Sequence, residues 1–411
     1  MAAMSGNARR PIRFSESTRR ITANLLMVAA VNGAAGAPLV GALREQAQEA
    51  FGLSRRAVGA GVATLGLAAG AGGLILISCL PRVKRLQLFR AGLLVALAGF
   101  GSYCFVPAAG PAAIAVLAAG WFVLTFGRGL TVVSNAVFTD LWHHSPHTGV
   151  ILLHATNSIG KLLAPALALL LTAAITRNAV VYTVILAVLA LDALSWPRPA
   201  VAGLARAEQE QTAARPRGRS ALRRPLFWLI CVEFFFIAGS EAGVASILPS
   251  YVENHRPGAA GLSPRAFSEV VLAVMVLGIV AGRFGGVLVS RRLGERAIVA
   301  GCLLCTLAVI PAVASSCPGV YLPCFFVLGV AFSSTWPAQF ALAARSFPHD
   351  KTILSMGASL GTLAGVNGFV LLASLIGNRP EHLPLAVLVS AGSMAVFAAT
   401  FLARAALARQ E

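Results

Sequence analysis

Stretches of about twenty apolar residues recur along almost the whole chain, and that is the length needed to cross the hydrocarbon core of a bilayer. Only a helix or a closed barrel can cross lipid, because every backbone N–H and C=O must find its partner within the protein. Stretches of that length read as membrane-spanning helices. They run Ile21–Leu43, Ala57–Leu80, Leu86–Val106, Ala113–Asp140, Gly149–Ile175 and Ala179–Leu194, then Pro225–Tyr251, Phe267–Val289, Ala297–Ala314, Tyr321–Ala344, Thr352–Ile376 and Leu383–Leu402. The expected fold is an all-α membrane protein with twelve transmembrane helices. Composition agrees: charged residues make up 12%, about half the share that a water-wetted globular surface carries.

A net charge of +18 invites a nucleic-acid reading, so the positions of the charges must decide. Of the 33 Lys and Arg, more than two thirds fall on the side that holds both tails and the central loop. The opposite side holds Arg44, Arg55, Arg56, Arg177, Arg256, Arg265 and Arg379, while Arg128, Lys161 and Arg283 lie inside spans. This asymmetry is the positive-inside pattern. It makes both termini cytoplasmic and excludes nucleic acid as the partner.

The five arginines before the first span, with Glu16 the one acid among them, resemble a mitochondrial presequence. They fit better a cytoplasmic tail ahead of a span that acts as its own insertion signal, and the plasma membrane is favoured over an organelle. Cys302 and Cys305 have CxxC spacing, but they stand in an apolar span with no His or second Cys pair nearby. They read as small hydrophobes, and neither a metal nor a cofactor is expected.

The longest break between apolar stretches, Pro197 to Arg224, carries Arg206, Glu208, Glu210, Arg215, Arg217, Arg219, Arg223 and Arg224. It divides six spans from six. The expected plan is a cytoplasmic tail over 1–20, a six-helix bundle over 21–196, a basic cytoplasmic linker over 197–224, a second six-helix bundle over 225–402 and a cytoplasmic tail over 403–411. Each half places a short basic turn after its second span, Pro81–Arg85 and Ser290–Arg296, which suggests an internal repeat of the kind transporters use. Gly66 and Gly70, Gly278 and Gly282, and Gly357, Gly361 and Gly365 are spaced four apart, so each set lies on one helix face where another backbone can approach. Static packing and mobile contact between bundles both suit that pattern.

Six plus six spans, a basic central loop and paired basic turns resemble the major facilitator superfamily. Gly282-Arg283 … Arg292-Leu293-Gly294 … Arg296 is similar to its G-x-x-x-D-R-x-G-R-R loop, with Arg291 where the acid usually stands. A nearer likeness is to the fucose-permease-like branch of sugar/proton symporters. It is carried by Gly127-Arg128-Gly129 … Asn135 … Asp140 … Leu153-His154 … Gly160 … Pro165 and by Phe236-Ile237-Ala238-Gly239-Ser240-Glu241-Ala242-Gly243 … Leu248-Pro249-Ser250-Tyr251. Lys161 departs from that branch, which has an uncharged residue there. The resemblance implies alternating access to a central cavity lined by the first, fourth, seventh and tenth spans, with protons as the coupling partner.

The energetic argument stands beside the resemblance. A charged side chain at a helix centre costs roughly 2.5–3.5 kcal/mol to insert, so it must find a partner or water. Arg128, Lys161, Glu233 and Glu241 lie in span interiors, with Asn32, Asn135, His154, Asn157, Gln339 and Asn367 among the polar residues beside them. His154, Asn157 and Lys161 share one face of the fifth span, and Arg128 and Asn135 one face of the fourth. Trp336-Pro337 should kink the tenth span, and Trp336 suits stacking on a sugar ring or filling space. Glu241, between Gly239 and Gly243 where the helix can bend, is the first candidate for proton coupling and Glu233 the second. Arg283, near a span end, is read as interfacial.

These residues suit substrate contact, and each also has a structural reading: a permanent ion pair for Arg128, snorkelling for Lys161, interhelical glue for the asparagines. The expected function is secondary transport of a small polar solute, a sugar or an organic anion, in a protein able to work as a monomer. A transporter-like sensor is the alternative. A membrane enzyme is least favoured, because no two acids fall within one turn of a span and no phosphate loop or HExxH appears.

Overall fold

A computed structural model describes residues 52–79, 85–102, 110–131, 149–160, 223–255, 261–289, 295–309, 317–347, 351–376 and 379–407, together with isolated positions 19, 22, 23, 25, 26, 29, 134, 135, 138 and 162. All regular structure among the described residues is helical. The named helices are α1 (Arg55–Cys79), α2 (Arg85–Ser102), α3 (Pro111–Thr131), α4 (Pro225–His255), α5 (Pro264–Val289), α6 (Glu295–Val309), α7 (Pro318–Ser346), α8 (Lys351–Ile376), α9 (Leu383–Gly392) and α10 (Met394–Leu407). A further helical stretch covers 149–160. The first span is described at a few positions, and the sixth span and most of both basic turns and of the linker lie outside the described residues.

Local chemistry sets the starts. α3, α4, α5 and α7 each open on a proline, whose missing N–H is no loss in a first turn. Ser54 caps α1, its Oγ accepting from Ala57 N at 3.1 Å. Six segments among the described residues are long and apolar enough to cross a membrane, from Arg56–Leu76 to Pro380–Arg404. Large apolar side chains point outward, Leu304 and Leu402 at 68% exposure and Ile75 at 62%, as lipid permits and water does not.

Helices touch where side chains vanish. In the C-terminal group, α5 and α7 meet through reciprocal glycines: Gly278 lies on the Phe326 carbonyl and Gly329 on the Met275 carbonyl. In the N-terminal group, α1 meets α3 in the same manner through Gly73 and Gly129. These are the second and fourth of the six spans expected in each half, and in both groups this pair meets through glycine. Gly357, Gly361 and Gly365 of α8 lie on Phe227, Cys231 and Phe235 of α4. Those contacts, and the one at Gly278, stay within one group. Gly66 and Gly70 differ, for they bring α1 against Asn367 and Leu363 of α8, across the two groups.

Candidate functional site

Three clusters collect the polar residues. The first lies inside the C-terminal group. Glu233 of α4 is fully buried, and its carboxylate meets Arg404 Nε of α10 at 3.4 Å. Gln339 of α7 donates its amide Nε2 to Glu233 Oε2, and Arg404 Nη2 donates to Gln339 Oε1 at 3.2 Å. Acid, amide and base close a ring that ties three helices together. Sequence reasoning put Arg404 in the tail; α10 instead runs on to Leu407 and turns that side chain inward.

The second cluster lies between the groups. Arg283 of α5 is 4% exposed. Its Nη1 donates to the His154 carbonyl and to Ser158 Oγ, both on the helical stretch 149–160, while Nε reaches the Ser333 carbonyl of α7 at 3.4 Å. The interfacial reading of Arg283 is thus corrected: the guanidinium reaches into the neighbouring group instead of the membrane surface. The His154 ring packs on Trp336 of α7 with centroids 4.3 Å apart. Trp336 in turn stacks on Phe340 and tilts against Phe234, and its Nε1 donates to Thr362 Oγ1 of α8 at 2.9 Å. α7 passes through Pro337 as one helix.

The third cluster lines the inner face of α3. Ala112, Ala115, Ala119 and Phe122 are exposed and form a lipid-facing stripe. Arg128 follows Ala119 by nine residues, about two and a half turns, so it projects from the opposite side. Trp121, one heptad before Arg128, shares its face and donates Nε1 to the Val62 carbonyl of α1 at 3.0 Å. A side chain grown at Gly66 would lie between Trp121 and Asn367 of α8, so this face of α3 looks toward the meeting of the two groups. Arg128 is half-buried there, and no ion pair joins it to a carboxylate among the described residues.

The remaining candidates distribute as follows. Asn157 donates to the Ala29 carbonyl of the first span at 2.9 Å, an interhelical bond. Asn367 donates to the Leu363 carbonyl of its own helix at 2.8 Å and sits at the α1–α8 contact. Glu241 is half-buried and within electrostatic reach of Arg283. Its flanking glycines admit neighbours without a break in α4: Gly239 receives Phe369 and Gly243 receives Ser390. Asn135 is half-buried in a helical position. Asn32 and Lys161 lie outside the described residues. No group of three or more His, Cys, Asp or Glu side chains suited to a metal occurs among the described residues.

Helices of this length and apolarity, packed through paired glycines around inward-facing charges, define a multi-pass membrane protein. The family model of the Major Facilitator Superfamily matches residues 25–358, and the chain belongs to that superfamily. Its fold resembles that of FucP in the outward conformation, with a TM-score of 0.69 and 18% identity over 95% of this chain and 99% of that one. The E. coli fucose:proton symporter FucP in a second structure gives 0.70 and 16% over 95% and 99%. The human organic anion transporter MFSD10 gives 0.63 and 17% over 95% and 100%. No curated protein sequence matches.

Proposed function

We propose that this chain is a proton-coupled transporter of a small organic anion, working by alternating access as a monomer. In this reading it has twelve spans in two six-helix bundles, with both termini cytoplasmic, and resides in the plasma membrane. The half-buried Arg128 carries the reading. A guanidinium in a span interior demands compensation; this one is half-buried on the side of α3 turned away from lipid, a place that suits a wetted cavity. An anionic solute supplies the opposite charge and a bidentate partner for the guanidinium.

Glu241 is the proton carrier in this scheme. It is half-buried and acts on the Arg283 charge, so gaining or losing its proton changes the field at the contact between groups. Glu233, closed in by Gln339 and Arg404, is assigned to holding the C-terminal group together. A neutral sugar is the second reading. The fucose:proton symporter fold and the ring of Trp336 favour it, whereas Trp336 is 8% exposed and already bonded to Thr362, which leaves little face for a passenger.

Uptake of small carboxylates and sugars into vesicles, with and without a pH gradient, tests both readings. The wild type should take up an anion faster under an inward proton gradient. Arg128→Gln should raise its half-saturation concentration about tenfold or more, as expected when a charged hydrogen bond is lost. Glu241→Gln should transport without responding to the gradient; gradient-driven uptake at the full rate in that variant rules Glu241 out. Sugar uptake alone selects the second reading, and no uptake of any solute selects a transporter-like sensor.

A further inference from the structure

We infer that Arg283 is a positioning residue that ties the two helix groups together beside Trp336, and that its guanidinium must leave His154 and Ser158 each time the groups part. The inference rests on the transport reading for its purpose and on the contact geometry for its existence.

Arg283 belongs to α5, but two of its hydrogen bonds end on the stretch 149–160. Its third holds α7 of its own group. One cation therefore spans three helices and crosses the boundary on which alternating access depends. Gly282 and Gly286 make the approach feasible: Ser333 and Ser334 of α7 fill the space where side chains would stand, and Ser334 Oγ donates to the Gly282 carbonyl at 2.8 Å. Arg283 thus leaves α5 at a point where α7 is already pressed close, and its Nη1 extends toward the other group.

The acceptors matter as much as the donor. Across the boundary the guanidinium is held by a main-chain carbonyl and a hydroxyl, neutral oxygens, so parting leaves no charge stranded on 149–160. A partner carboxylate on 149–160 would have made opening far more costly. The same residue that offers its carbonyl to Arg283 lays its ring on Trp336, so the clasp also fixes where His154 stands relative to α7. Opening the boundary frees that ring.

Hydrogen exchange on the full chain in lipid nanodiscs tests this without any solute. Ser158→Ala removes one acceptor with little risk to folding, and Arg283→Lys keeps the charge but replaces the planar fork by a point donor. Both should raise exchange about tenfold, the factor expected for one lost charge-assisted bond, in segments 149–160 and 275–289 together. Segments 318–330 of α7 and 227–239 of α4 should exchange as in the wild type. Equal exchange in wild type and Ser158→Ala at both boundary segments overturns the inference. So does a uniform rise across all helices with a lowered melting temperature, the mark of a residue that merely stabilises. Where vesicles show no uptake by the wild type, the transport reading fails while a boundary-confined rise still establishes the clasp.

Discussion

The Glu233–Gln339–Arg404 ring and the Arg283 clasp bury charge in opposite ways. The ring sets an acid against a base inside one helix group and uses an amide to fill the gap between them. The clasp keeps its charged neighbour, Glu241, in its own group and reaches across the boundary only to neutral oxygens. Splitting a buried ion pair strands a charge in a poor solvent, so the ring is suited to permanence. Withdrawing a guanidinium from a carbonyl and a hydroxyl strands none on the far side, so the clasp is suited to repeated breaking. The chemistry of the acceptor separates scaffold from moving part.

The largest effect expected from this contrast is at the ring. Arg404→Leu leaves the Glu233 carboxylate buried without its base and should cost about 3–5 kcal/mol, read as a large fall in melting temperature of the detergent-purified protein. Replacing both partners, Glu233→Met with Arg404→Met, should recover most of it; a double variant as unstable as the single one breaks the comparison. Next come the glycines. At Gly278 an added methyl meets the Phe326 main chain, and Gly278→Ala should cost about 1–3 kcal/mol as α5 is pushed from α7. Gly66→Ala meets the Asn367 side chain, 2.5 Å from its Oδ1, which can turn away. Its effect on melting should be smaller, and it should raise hydrogen exchange in α1 and α8, where the two groups meet at Gly66. The smallest effect is Trp336→Phe, which keeps the ring pile with His154 and Phe340 but loses the bond to Thr362, about 0.5–1.5 kcal/mol in the same melting assay.

Much of the framework was legible because lipid imposes one rule on every span. The apolar runs at Ala57–Leu80, Pro225–Tyr251 and Tyr321–Ala344 correspond to α1, α4 and α7, and the glycine spacings marked faces that do meet other helices. The failures share a cause. The apolar run ends at Leu402, so Arg404 looked like the first charge of a tail, whereas Met394, Phe397, Phe401 and Arg404 form one inward stripe at spacings of three and four. Val271, Met275, Ile279 and Arg283 likewise continue one buried row four apart. Periodicity indicates that such an arginine faces inward; only three-dimensional packing reveals the carbonyl or carboxylate it reaches. The glycines around Glu241 look flexible in a one-dimensional reading and serve instead as sockets for Phe369 and Ser390.

The ring also has a history during synthesis. Glu233 is made 171 residues before Arg404, which at ordinary ribosome speeds is a delay on the order of ten to thirty seconds. Until the last helix arrives, that acid must wait beside water or in its uncharged form. The ring of the C-terminal helix group therefore closes only once α10 is made, and a chain cut short before α10 would leave an inserted but incomplete protein for quality control to find.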